Sequence, residues 1–226
     1  MTTNKIRYII AVALLGITLL YTAYIIFSSI KEDNNHAQVD RLCLDEIQQL
    51  EEGDIIMRKG FGYISNKITQ ILDEPYSLSH CGIIVFSKNN KPIVIHSVSS
   101  TLSDIDGVQS CSIKKFCNES HHNSIVVARL KNTNAESRRS IALKAKEFLA
   151  AQTPFDNSFD MIDNTKLYCT ELVWKALWET QKIDIYPDKA DFKKLGFNAM
   201  MDSNYFDIII NHQDTNLCKG YTTLIA

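Results

Sequence analysis

The chain has 226 residues, a formal net charge of −2 and 45% hydrophobic residues. A near-neutral chain with no basic stripe of interleaved aromatics is not built to hold nucleic acid. Eight glycines and four prolines are too few for a low-complexity or loop-dominated scaffold. There are enough apolar residues for a packed core. Once an N-terminal segment is set aside, about 185 residues remain, which suits one domain without internal repeats.

Tyr8 to Ile30 is a run of apolar and small neutral residues without a charge. At about 23 residues it is long enough to span a bilayer core with some tilt. Lys5 and Arg7 precede it, whereas Lys31, Glu32 and Asp33 follow with little net positive charge. The positive-inside rule then leaves the N-terminus in the cytoplasm and puts the rest on the outer, periplasmic or extracellular side. A cleaved signal peptide is the competing reading, but its apolar region is normally shorter. An uncleaved single-pass anchor over residues 1–30 is therefore expected, with a polar tether over 31–40 and the folded domain over 41–226.

Within that domain, Arg41 to Glu51 has helical spacing at Leu42, Ile47 and Leu50, and Gly53-Asp54 breaks it. Asp54 to Arg58 reads as a short strand. Gly60 and Gly62 mark a loop before a helix carrying Tyr63, Ile64, Ile68, Ile71 and Leu72, which Glu74-Pro75 ends. Ser79 to Phe86 and Pro92 to Val98 read as a strand pair turned at Asn89-Asn90. Period-two alternation puts His80, Gly82, Ile84 and Phe86 on one face, and His96 on a face with Val94 and Val98. Gly82 leaves room for close approach on the His80 face. Leu102 to Gly107 reads as loop, Ser112 to Phe116 as a helical turn, and Ser124 to Leu130 as a strand. Ala135 to Ala151 is an amphipathic helix stopped by Thr153-Pro154. A loop rich in Asp, Asn and Phe leads on to Cys169. Beyond Glu179 the pattern weakens, and Phe206 to Ile210 fits either a strand or a buried helical turn.

The six cysteines are Cys43, Cys81, Cys111, Cys117, Cys169 and Cys218. None forms a CxxC pair, and no Cys/His spacing matches a zinc site, so no metal ligands are read. Cys111 and Cys117 are close enough to pair, and a fully reduced set is equally compatible. Cys169 stands apart. It opens a helix in which Leu172, Val173, Ala176 and Leu177 share its face, so it points inward. A lone cysteine on such a face is usually a small buried hydrophobe. A thiol in the first helical turn, however, meets unpaired N–H groups and the positive end of the macrodipole, which favour the thiolate. Two strand-borne histidines upstream complete a Cys-His-polar pattern: Cys169 to attack, His80 to take and return the proton, and His96 to orient His80.

Gly53-Asp54-Ile55-Ile56, Ser79-His80-Cys81-Gly82-Ile83, Phe159-Asp160 and Tyr168-Cys169-Thr170-Glu171-Leu172-Val173 together resemble the permuted papain-like amidases of the YiiX/YaeF type. These belong with the NlpC-type cell-wall peptidases and, more distantly, with lecithin:retinol acyltransferase. The resemblance runs from about Gly53 to Trp178, and the histidine preceding the cysteine marks the permuted branch. It implies an α+β papain-like fold, an antiparallel sheet packed on the nucleophile helix, with Cys169 as nucleophile and His80 as base. The third position varies among relatives, which leaves His96 the least fixed member. Glu171 lies roughly 200° around the helix from Cys169 and reads as structural. No metal or organic cofactor is implied. The expected activity is hydrolysis of an amide, peptide or cell-wall-type, through a thioester acyl-enzyme. The alternatives are acyl transfer or hydrolysis on a lipid-derived substrate, and a catalytically inactive binding module. Oligomeric state is not legible.

Overall fold

A computed structural model describes residues 3–33, 41–161, 165–188 and 195–214. Its centre is a six-stranded sheet in which every neighbouring pair is antiparallel, with order β4-β3-β2-β1-β5-β6. The strands are β1 (Ile55–Arg58), β2 (His80–Phe86), β3 (Pro92–Val98), β4 (Gly107–Ser112), β5 (Val126–Leu130) and β6 (Phe206–Asn211). The helices are α1 (Thr3–Asp33), α2 (Leu44–Gln49), α3 (Gly62–Leu72), α4 (Ile113–Asn118), α5 (Ala135–Ala150) and α6 (Cys169–Gln181).

Both faces of the sheet are covered, which is why β1, β2 and β5 read as nearly unbroken apolar runs. On one face Cys81, Ile83 and Val85 of β2 pack with Ile141 and Ala145 of α5 and Leu172, Val173 and Ala176 of α6. On the other, Ile56, Ile84 and Val94 pack with Leu50 and with Ile113 and Phe116 of α4. Alternation along β2 therefore points His80 and Cys81 to opposite sides of the sheet.

The structure departs from the sequence expectations at three places and decides one open alternative. Gly107–Ser112, expected as the end of a loop and a connector, forms the strand β4 at one edge of the sheet. Its polar sequence hides the pattern, and Gly107 holds φ +81° where a β-carbon would lie 2.2 Å from Thr153 O. The helix expected over Arg41–Glu51 is only Leu44–Gln49. Phe206–Asn211 resolves as a strand because it pairs with β5. Finally, the expected transmembrane helix is not found: among the described residues no helix is long and apolar enough to cross a membrane. The helix α1 is continuous over its range, but the side chains of residues 26–33 lie outside the description. The expected tether over 31–40 falls mostly outside the described residues, as does Cys218. Cys111 and Cys117 are both free thiols.

Gly53-Asp54 owes its place to structure. Gly53 has φ +84°, and a β-carbon there would lie 2.3 Å from Arg138 O. The wholly buried Asp54 carboxylate accepts two bonds from Arg129, Nε at 2.8 Å and an Nη at 2.8 Å, and one from Glu51 N. Glu51 in turn receives Arg129 and Arg138. This network ties the entry of β1 to β5 and α5. Gly53→Ala is expected to lower unfolding stability by about 2 kcal/mol or more, from overpacking and a left-handed backbone together. A urea melt reads the loss, and an unchanged midpoint would show that the turn relaxes freely.

Candidate active site

Three neighbouring strands bring three polar side chains to one face. Arg58 of β1 is the register partner of His80 at the start of β2, and His96 of β3 lies beside Gly82. A β-carbon at Gly82 would stand 2.5 Å from Val94 Cγ1, 2.7 Å from Ile95 O and 3.0 Å from His96 Cβ. Only a bare backbone lets β3 lie so near, and His96 uses that space. His80 Nε2 and His96 Nδ1 are 2.8 Å apart.

Phe116 of α4 covers the group. Its ring stacks on His80 at 5.6 Å between centroids, meets the edge of His96 at 5.7 Å, and carries Arg58 Cζ 4.5 Å above it. Arg58 is buried and is held by Phe116 O at 2.7 Å and Glu119 Oε2 at 3.2 Å. Burial, then His96 and the Arg58 cation, push the His80 pKa well below the usual imidazole range. Burial, with Arg58 and Lys115, lowers that of His96 to about 3. Both rings are therefore neutral near pH 7.

Cys169 arrives from the other side of the sheet. It is the first residue of α6, whose start is fixed by Glu171 reaching back to accept the Tyr168 N–H at 3.3 Å. Glu171 is fully buried and acts as this helix cap, matching its reading as structural. Burial works against the Cys169 thiolate, but the adjacent Cys81 thiol and the N–H groups of Cys81, Thr170 and Cys169 outweigh it and lower the thiol's pKa. Burial, and then the Cys169 thiol, raise that of Cys81. His80 and Cys81 are consecutive, so the start of β2 offers one side chain to each face where the start of α6 abuts it.

Cys169, His80 and His96 all line one cavity of about 610 Å³. Ile64 and Ile68 of α3 line it with apolar side chains, and Ser97, Ser99 and Phe159 line it as well. No hydrogen bond joins Cys169 to His80 among the described residues. With Nε2 of His80 committed to His96, Nδ1 is the ring nitrogen left for another partner. Phe159 of the Phe159-Asp160 pair lines the cavity in a left-handed conformation, φ +55°. Asp160 N–H is held by the buried Asp156 carboxylate at 2.7 Å. His121 and His122 do not line the cavity. Sequence reasoning passed over Arg58 and Cys81. Arg58 ends an apolar strand beside His80, and alternation alone puts Cys81 on the face that α6 covers.

The neutral histidines set a pH dependence of stability. Their folded pKa values lie below the roughly 6.5 of an exposed imidazole, so the unfolded chain takes up protons first as pH falls. The stabilisation is complete above about pH 6.5 and declines below it, continuing toward about pH 3, by at most about 1.4 kcal/mol per pH unit for each ring. Urea melts stepped from about pH 7 to 4.5 should show the decline, and His96→Asn should make it shallower. A slope identical to wild type would mean that His96 titrates normally.

The chain matches the family described as permuted papain-like amidase enzyme, YaeF/YiiX, C92 family, over residues 49–211. Among solved structures it is similar to one described as metalloprotein yiiX from Escherichia coli O157:H7, at 22% identity and a TM-score of 0.57. That likeness covers 72% of this chain and 98% of the other, and it concerns the fold. No curated protein matches. The family match spans the whole sheet and the three helices of the site, α3, α4 and α6, from before β1 to the end of β6. This chain therefore belongs to the permuted papain-like amidases, a family of cysteine peptidases and amidases.

Proposed function

We propose that the chain hydrolyses an amide bond through a thioester on Cys169, with His80 as general base and acid and His96 as its orienting partner. The observation that carries this reading is the His80–His96 contact of 2.8 Å within the cavity that Cys169 also lines. A donated Nε2–H from His80 to His96 Nδ1 leaves a lone pair on His80 Nδ1 to receive the thiol proton. The Cys169 sulfur attacks the carbonyl carbon, and N–H groups at the start of α6 offer bonds to the developing oxyanion. The imidazolium returns its proton to the departing amine. Water, deprotonated by His80, then releases the acid from the thioester. A peptide or cell-wall-type amide is the substrate class. The solved relative is described as a metalloprotein. Among the described residues here, no three His, Cys, Asp or Glu side chains are arranged to hold a metal ion. No step is assigned to one.

The proposal includes attachment to the cytoplasmic membrane, with residues 1–30 as anchor, 31–40 as tether and 41–226 as an outward-facing hydrolase domain. Its support is the uncharged run from Tyr8 to Ile30 behind Lys5 and Arg7, together with exposed apolar side chains along α1 such as Leu14, Leu15 and Leu20.

Two experiments test the proposal. Cys169→Ala should abolish turnover, and His80→Ala should lower it by about 10²–10⁴-fold. Their combination should cost little more than either alone. His96→Asn, which can still accept the N–H, should retain partial activity. Loss below about tenfold for both histidine variants, with Cys169→Ala inactive, would move the base elsewhere. For topology, protease added to intact spheroplasts should digest the hydrolase domain, and protection until lysis would reverse the orientation.

A further inference from the structure

Arg58 has no step in the chemistry above, and as a packing element it is a poor choice. It is buried at the end of an apolar strand, after Ile55, Ile56 and Met57. Its carboxylate partner Glu119 is partly exposed, and its own Nε is buried without a hydrogen bond among the described residues. A hydrophobic side chain of similar volume often serves a fold as well as such an ion pair, or better. What Arg58 does hold is α4. This helix has six residues, and the carbonyls of its last turn lack partners within it. Nη1 of Arg58 donates to Phe116 O at 2.7 Å, and Nη2 donates to Glu119 Oε2 at 3.2 Å, just past the helix end. Cζ lies 4.5 Å from the centre of the Phe116 ring. Arg58 thus grips Phe116 at its carbonyl and at its ring face. The same ring stacks on His80 and meets the edge of His96. Along the backbone, Arg58 is the register partner of His80, and its carbonyl accepts the N–H of Ser79.

We infer that Arg58 is a positioning residue of the histidine pair: by fixing Phe116 it sets the surface against which the His80 and His96 rings are seated. This rests on the roles proposed for His80 and His96. Apolar packing around Phe116, from Ile84, Val94 and Ile113, excludes water but is non-directional. A hydrogen bond to the carbonyl and a cation over the ring supply direction. The planar guanidinium does both at once, whereas an ammonium is a point charge without a face to lay on the ring. With Phe116 free to turn, the 2.8 Å contact between His80 Nε2 and His96 Nδ1 loses its support on one side. His80 would then populate both neutral tautomers, and the Nδ1 lone pair that receives the thiol proton would be present only part of the time.

Two measurements on the full-length protein test this without a substrate. The rate at which iodoacetamide alkylates Cys169, followed by mass spectrometry, reads how well His80 takes the thiol proton. Long-range proton–nitrogen NMR of the imidazoles reads the tautomer of each ring, and in the wild type His80 should carry its proton on Nε2. His80→Ala is the reference and should slow alkylation by roughly tenfold or more. Arg58→Met, which keeps apolar bulk beside the Phe116 ring, should slow it by about tenfold without lowering the urea midpoint. Its His80 ring should change from one tautomer to a mixture. Arg58→Lys keeps the charge but not the fork, so it should be slowed as well, and it decides the matter if Arg58→Met does not fold. Wild-type alkylation and a single His80 tautomer in Arg58→Met overturn the inference. So does full recovery in Arg58→Lys, which assigns the effect to charge alone, and so does alkylation that falls only in step with the folded fraction. If His80→Ala leaves alkylation unchanged, the reading of His80 as base fails by itself, and the ring tautomers still show whether Arg58 holds the pair.

Discussion

No side chain fits at Gly82, and the geometry of the histidine pair depends on that. The positions of Val94 Cγ1, Ile95 O and His96 Cβ leave less than a normal contact distance for a methyl group. A larger residue would push β3 outward just where His96 reaches toward His80. The pair would lengthen beyond hydrogen-bonding distance, and the ring of His80 would lose the partner that decides which nitrogen is left over. Phe116 adds the second restraint, since both imidazoles and the Arg58 guanidinium contact its ring. A glycine on one side and an aromatic plate on the other thus fix the rings, with no carboxylate partner among the described residues.

The two faces of the sheet treat charge in opposite ways. On the histidine face, burial and the Arg58 cation oppose a second positive charge, so both imidazoles rest neutral. On the cysteine face, N–H groups and a neighbouring thiol favour a negative sulfur. On the proposed roles, an imidazolium formed beside Arg58 is an unfavourable resting state and a ready proton donor, which suits a group that must return its proton to a leaving amine. The arrangement has a cost. When His80 donates to His96 Nδ1, His96 carries its own proton on Nε2, and that atom is buried without a hydrogen-bond partner among the described residues. An unmade bond of this kind costs about 1–3 kcal/mol. The site tolerates it only because Gly82 and Phe116 leave His96 few other positions.

Much of this could be read from the sequence, for identifiable reasons. β2 and β3 carry β-branched runs with a turn between them, so period-two alternation assigns His80 to the face of Ile84 and His96 to the face of Val94, and the register that pairs Ile84 with Val94 makes these one face. The face of α6 was legible from the spacing of Leu172, Val173 and Ala176 behind Cys169. β4 was missed because Gln109 and Ser110 break its apolar pattern, and its place is set by pairing with β3. The helix over Arg41–Glu51 was overextended because periodicity continues past the residues that make helical bonds. The cysteine environment was only half read. Alternation already put Cys81 opposite His80, but its neighbour on α6 becomes visible only when the helix is docked. Arg58 was hidden for a similar reason, as a strand end that matters through the side chains beside it.

Chain order matters little to any of these contacts. The site needs the start of one strand to abut the start of one helix, with a second strand close enough to lend its imidazole. His80 and His96 come from a local hairpin, whereas Cys169 is brought in across β4, α4, β5 and α5. Closing a longer loop costs only about (3/2)RT ln n, so moving the helix from before the strands to after them changes the entropy of assembly slightly. What must survive such a rearrangement is the packing that seats α6 on the sheet and the network that holds the far side of β1. Asp54, Glu51, Arg129 and Arg138 supply the latter, joining the entry of β1 to β5 and α5. Because α5 packs against α6 in the same core cluster, the Gly53-Asp54 turn indirectly sets where Cys169 stands. Gly53-Asp54 thus acts on the site from outside the cavity.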